Sequence, residues 1–247
     1  MSTLPLQNHT PNARYPEERR FATVLFADVQ GFTALAEQLD FETVSNLVKG
    51  IWERLDQSIE ARGGYIDKHL GDGVMAVWGA PFAGDNDAGA AIEAGLDLQR
   101  AMQEFVHEVK IPSAKKLKLR VGINSGQVFA GYVGTKNEYT VIGDTVNVAH
   151  RLEESAEPGT VVIGENTYRL VRDQFELTAV EPVHAKGKAE PIVAYRAIGK
   201  IIPHNNAPQT PSLPSRMIAR DSEFARIRSQ YAQARHANAP VMVLVLG

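Results

Sequence analysis

The chain has 247 residues, 44% of them hydrophobic and 22% charged, the composition of a protein with an ordinary buried core. A formal net charge of −3 argues against broad electrostatic binding to nucleic acid or anionic membrane, and leaves room for a nucleotide site served by a few placed cations. There is no cysteine, so disulfides and thiolate metal sites are excluded.

Residues 1–17 are polar, carry Pro5, Pro11 and Pro16 and lack an apolar signal core, so they read as a flexible leader. No apolar run approaches the ~18 residues of a membrane span, and the cytoplasm is the expected compartment. Phe21 to Val29 is rich in β-branched and aromatic residues and predicts a strand. From Phe41 to Arg62 the apolar positions Val44, Leu47, Val48, Ile51, Leu55 and Ile59 keep a helical period, which Gly63-Gly64 ends. Tyr65 to Leu70 and Val74 to Trp78 predict two strands joined through Gly71-Asp72-Gly73, a hairpin signal. A second helix is expected from Asp87 to Val109.

Three strand-like runs follow, Lys118 to Asn124, Gln127 to Val133 and Glu138 to Ile142, and then a helix starting near Asp144 and passing Leu152. Val161 to Ile163, Phe175 to Val180 and Ile192 to Ile198 complete a strand-rich end. This order predicts an α+β domain over residues 18–200, a ferredoxin-like βαββαβ core whose mixed sheet carries packed helices. Residues 201–215, with Pro203, Pro208, Pro211 and Pro214, read as a linker. Residues 216–247 change character again, with a helix-like Glu223 to Ala237 and an apolar strand Val241 to Leu246.

Two acids are placed to meet. Asp28 stands where the first strand runs into a glycine turn, and Asp72 stands at the hairpin tip. In a βαββ arrangement the first strand lies beside that hairpin, so the two carboxylates can share a metal site of the hard-oxygen kind that suits Mg²⁺. Either acid alone is equally an ordinary turn residue. On the helix that Asp144 or Thr145 can cap, Asn147 and Arg151 stand four positions apart and hence on one face. Together they offer a hydrogen-bonding group and a forked cation, suited to a ribose and a phosphate. By spacing alone, the same pair fits a polar helix face in solvent. His69 and His150 flank this region without partners at metal-ligand spacing and read as structural, and Trp78 and Phe82 read as core or cover.

FADVQGFT, KHLGDGVMAVWG and EYTVIGDTVNVAHRLE, in this order, resemble the three signature segments of the class III adenylate/guanylate cyclases. Lys186-Gly187-Lys188, ahead of Ala194-Tyr195-Arg196, is similar to the phosphate-binding stretch near the end of that catalytic domain. The resemblance implies the class III cyclase fold and two divalent ions, Mg²⁺ or Mn²⁺, as cofactors. Their ligands correspond to Asp28 and Asp72, with Val29 adjoining them in the metal set. It implies conversion of ATP to 3′,5′-cyclic AMP and pyrophosphate, with Arg151 stabilising charge on the α-phosphoryl group, Asn147 orienting the ribose and Lys186 contacting the terminal phosphates.

The base-reading pair corresponds to Lys68 and Thr140. An ammonium can donate to adenine N1 and a hydroxyl can accept from the 6-amino group, whereas guanine presents the reverse pattern. Guanylate-making relatives usually carry Glu and Cys there. Thr140 in place of Asp resembles the bacterial, soluble-type subgroup in which bicarbonate stimulates, so bicarbonate joins the expected ligands. Because the family divides its site residues between two subunits and this chain has both sets, a homodimer is expected and a monomer should be inactive. The loop before the Tyr-Thr-Val-Ile-Gly run is short, with Lys136 as its only cation.

Three alternatives stand beside this reading. A guanylate cyclase would need other base-reading residues, and a diguanylate cyclase would need a Gly-Gly-Asp/Glu-Glu-Phe run that is not there. A catalytically silent dimerisation module should have lost one of Asp28, Asp72, Asn147 or Arg151, and none is missing. The last segment is similar to the opening of a P-loop ATPase module, where a buried strand precedes the phosphate loop.

Overall fold

The computed structural model describes residues 15–133, 138–184, 190–201, 225–226 and 228–231. Lys136, Lys186, the linker after Ile201 and the strand expected at Val241 to Leu246 lie outside the described residues. The chain divides into two compact units, Met1–Ile201 and Ile202–Gly247. In the second, residues 225–226 and 228–231 are helical, inside the span where a helix is expected.

The first unit is built on one mixed sheet. β1 (Glu18–Gln30) leads through a short helix α1 (Phe32–Ala36) into α2 (Phe41–Glu60), and the hairpin β2 (Tyr65–Leu70) and β3 (Gly73–Trp78) follows. Then come α3 (Asp87–Glu108), β4 (Lys118–Val133), β5 (Glu138–Ile142), α4 (Asp144–Ser155), β6 (Thr160–Gly164), α5 (Glu165–Val171), β7 (Phe175–Ala179) and β8 (Ala194–Lys200). The strands lie in the order β2-β3-β1-β4-β6-β8-β7, with β5 paired to β4. Its first four strands, all antiparallel neighbours, make the ferredoxin-like βαββαβ core expected from the sequence.

β1 explains why its sequence is apolar almost without alternation. Leu25, Ala27 and Val29 pack on one face with Ile51, Leu55 and Ile59 of α2 and Ile92 and Leu98 of α3. Ala22, Val24 and Phe26 point to the opposite face, into a second cluster with Val128, Val141 and Ala149 of α4. A strand covered on both sides reads as a continuous hydrophobic run. At the start of α2 the Asp40 carboxylate accepts from Thr43 N (2.9 Å), a side-chain cap on an otherwise orphaned donor.

The structure corrects the sequence reading in several places. The runs Lys118 to Asn124 and Gln127 to Val133 are one strand of 16 residues. Ser125-Gly126 does not turn there because both stay in register with Thr23 and Ala22 of β1, and Ser125 Oγ is bonded to Thr23 and Thr167 hydroxyls at 2.8 and 3.0 Å. The length lets β4 serve two further partners on the edge away from β1. Its first half pairs parallel with β6, and its second half pairs antiparallel with β5.

The cap of α4 is Gly143, with no side-chain cap bond, and not Asp144 or Thr145. Thr145 Oγ1 instead donates to Gln127 O (2.8 Å), tying the helix to β4. Tyr15, inside the stretch read as leader, packs at 4.9 Å from the Tyr139 ring and donates its backbone N–H to Tyr132 Oη (2.7 Å). Trp78 is core and donates to Arg62 O, whereas Phe82 is 55% exposed.

Candidate active site

Three groups of side chains collect around the β1–β3 and β4–β5 regions. The first is acidic. Asp28 pairs directly with Gly73 in the ladder, and Val29 N donates to Asp72 O (3.1 Å), so the hairpin tip is fastened to the end of β1. This brings the two sequence-predicted aspartates together. Asp72 is held above the usual carboxylate range, by burial first and by the negative charge of Asp28 second, with Arg120 opposing. Two adjacent carboxylates, with the Val29 backbone beside them, fit the hard-oxygen donor set of a divalent ion.

The sequence reading missed the cation of this group. Arg120 lies directly across the ladder from Asp28, and its Nη2 reaches Asp28 Oδ2 at 2.7 Å. The same nitrogen stands 3.1 Å from Glu153 Oε1 on α4 as an ion pair without a hydrogen bond, which leaves Glu153 Oε1 buried without a hydrogen-bond partner; Arg120 Nε is likewise buried without one. Nη1 donates to Glu154 O (3.2 Å). Burial pushes the Glu153 carboxyl up to about 7; Arg120 opposes the rise, while Asp28, Glu154 and Asp72 add to it. No single residue here announces itself in the sequence. Their adjacency comes from cross-strand pairing and from α4 crossing the sheet.

The second group is the pair expected to read the base. Lys68 Nζ donates to Thr140 Oγ1 (3.3 Å), and Thr140 Oγ1 donates to Asp67 Oδ2 (3.0 Å). Lys68 Nζ is also paired with Asp67 Oδ2 at 3.0 Å. Two residues 72 positions apart in the chain thus meet side by side. Asp67, a neighbour the sequence reading did not single out, holds both.

The third group is on α4, where Asn147 and Arg151 stand on the exposed side while Val148, Ala149 and Leu152 are buried. Arg151 Nη1 is engaged by Glu154 Oε2 (3.0 Å), an exposed pair of small energetic weight. Among the described residues, no hydrogen bond or ion pair joins Asp28 or Asp72 to Lys68, Thr140, Asn147 or Arg151. His69 is accounted for structurally, with Nε2 at 3.1 Å from Asp56 Oδ1 and its ring against Trp52. The His150 ring lies 5.1 Å from that of Phe26.

The model of the adenylate and guanylate cyclase catalytic domain matches residues 15–198. The receptor-type guanylate cyclase gcy-5 of Caenorhabditis elegans is 34% identical over 180 residues, 70% of this chain and 16% of that protein. An adenylate cyclase of Anabaena cylindrica is 30% identical over 187 residues, 71% of this chain and 36% of that protein. This chain therefore spans only a minor part of these curated relatives. The crystal structure of the adenylyl cyclase CyaB from P. aeruginosa superposes with a TM-score of 0.69 at 31% identity, covering 74% of this chain and 96% of that one. Fold, site geometry and similarity converge: the chain belongs to the adenylate and guanylate cyclase catalytic domain family.

Proposed function

We propose that this domain is an adenylate cyclase, converting ATP to 3′,5′-cyclic AMP and pyrophosphate at a site shared between two copies of the chain. The observation that carries the reading is the contact between Lys68 and Thr140. The ammonium offers a donor to adenine N1, and the hydroxyl, its own proton already given to Asp67, offers an acceptor to the 6-amino group. Guanine, with N1–H and O6, would meet a donor with a donor. The relatives include both adenylate and guanylate cyclases, so the assignment of ATP rests on this pair.

In the reaction the ribose 3′-oxygen attacks the α-phosphorus, the new O3′–P bond forms in line, and pyrophosphate leaves. Asn147 would hold the ribose in line, and the Arg151 fork would take up charge growing on the α-phosphoryl oxygens. Lys186 would meet the terminal phosphates. Asp28 and Asp72, with Val29 beside them, would hold the divalent ions, which supply activation of the 3′-hydroxyl and neutralisation of the triphosphate when bound.

Among the described residues no hydrogen bond or ion pair joins the acidic group to Lys68 or Thr140 within one chain, which supports a site completed by a second copy. Phe129 and Ile142, cross-strand neighbours on β4 and β5, are 39% and 48% exposed, apolar surface of the kind an interface covers.

Purified chain given ATP or GTP with Mg²⁺ or Mn²⁺, with and without bicarbonate, should yield cyclic AMP from ATP. Asp28→Ala should lower the rate by at least about 100-fold, because a metal ligand is lost. Cyclic GMP as the main product would replace this reading with the guanylate one. No product at concentrations where the protein is dimeric would favour a silent module.

A further inference from the structure

We propose that Asp67 is a specificity-determining positioning residue, a buried carboxylate that fixes Thr140 as a pure hydrogen-bond acceptor toward the base. The inference rests on the adenylate reading above. Its origin is a β-bulge. The β2–β3 register runs Ile66 to Ala76 and then Lys68 to Met75, so Asp67 is the extra residue between them. In a regular strand, neighbouring side chains point to opposite faces; the bulge re-aims the backbone, and Asp67 and Lys68 both reach Thr140.

The Asp67 side chain is 1% exposed, and its Oδ1 is buried with no partner. A carboxylate with an orphaned oxygen is a costly filler for that space, and its contacts show what it does. It accepts the single proton of the Thr140 hydroxyl and stands 3.0 Å from the Lys68 ammonium.

A hydroxyl has one proton and two lone pairs. With the hydroxyl proton directed at Asp67 and one lone pair facing Lys68, one acceptor position is left for a ligand. The ammonium, engaged by Asp67 and Thr140, keeps a proton to give. The pair therefore presents one donor and one acceptor in fixed order, the complement of adenine N1 and its 6-amino group. Without Asp67 the Thr140 proton would be free to rotate outward and donate to a 6-carbonyl. Lys68 and Thr140 are the groups that read the base, and Asp67 sets the polarity with which Thr140 reads it.

The test compares ATP with the triphosphate of 6-methoxypurine riboside, which keeps the N1 acceptor for Lys68 but puts an acceptor where adenine has a donor. For the parent chain, kcat/KM should be at least about tenfold lower for the analogue, since a buried acceptor would face an acceptor. In Asp67→Leu, which keeps the bulk and offers the Thr140 proton no acceptor, the gap should narrow to about threefold or less, with the change carried by the analogue's KM. The steric demand of the methoxy group is common to both proteins and cancels in the ratio.

An unchanged gap in folded Asp67→Leu, with the parent still preferring ATP, would overturn the role of Asp67 and leave the adenylate reading intact. A parent that prefers GTP or cyclises neither nucleotide removes the reading and the inference together. Should Asp67→Leu fail to fold, the parent decides alone: use of the methoxy analogue as readily as ATP would show that Thr140 donates, and the inference falls.

Discussion

Glu153 is the carboxyl whose environment most changes its chemistry, and its consequence is a pH dependence of stability. In the unfolded chain a glutamate titrates near its ordinary 4.5, and in the fold burial raises this one to about 7. Between those values the folded state keeps a proton that the unfolded state has released. The stabilisation is full below the unfolded value and is lost as pH rises through about 7. From pH ~5.5 to pH ~8.5 the Tm of the parent should fall by roughly 3–6 °C through this group. Glu153→Gln, which keeps the shape and cannot ionise, should be flatter over the same window. Thermal melts at closely spaced pH values check this, and parallel profiles for the two proteins would refute it. At this scale the sequence was partly legible. Asp28, Asp72, Lys68, Thr140, Asn147 and Arg151 lie in recognisable segments. Asp67, Arg120 and Glu153 carry no such mark: one owes its place to a bulge, and Arg120 meets Asp28 across 92 positions of chain.

Among the elements, α4 is the one whose placement matters most, because it carries Asn147 and Arg151. It approaches the sheet closely enough to require glycine beneath it. A Cβ on Gly122 would stand 2.1 Å from Glu153 N and 2.4 Å from Ala149 O, and one on Gly126 would stand 2.6 Å from Thr145 Oγ1. The atoms over Gly122 are helix backbone, so they yield only if α4 lifts as a body. Gly122→Ala should therefore cost about 3 kcal/mol, roughly 6–10 °C in Tm, and should lower activity further by displacing the exposed face of α4. Gly199→Ala on β8, where an added Cβ meets nothing within 4 Å, is the matched control and should change Tm by about 1 °C or less. Equal effects from the two substitutions would show that the close approach is not what holds the helix. The same contacts explain an error in reading the sequence. Ser125-Gly126 has turn composition, yet it lies mid-strand because Thr23 and Thr167 satisfy the serine and the glycine admits α4. Period and composition located α2, α3 and β1 within a few residues; α1 and α5, at five and seven residues, are too short to show a period.

For the whole molecule, the decisive property is that, among the described residues, no hydrogen bond or ion pair joins the two halves of the proposed site within one chain. In the proposed dimer, one site takes Asp28 and Asp72 from one copy and Lys68, Thr140, Asn147 and Arg151 from the other, and the twofold axis generates the second. Asp28→Ala and Arg151→Ala then damage opposite halves. Each homodimer carries its lesion in both sites and should be inactive. In a heterodimer the two lesions fall together in one site and leave the other intact. Random exchange of equal amounts makes half the dimers mixed, each with one working site, so activity should return to about a quarter of the parent value. Activity assays after co-expression or slow exchange, with the mixed dimer verified by differential tagging, check this directly. Mixed dimers that form and stay inactive would place the whole site within one chain. Restoration would also account for the exposed apolar pair on β4 and β5, since the surface that joins the copies would be the surface that completes the chemistry.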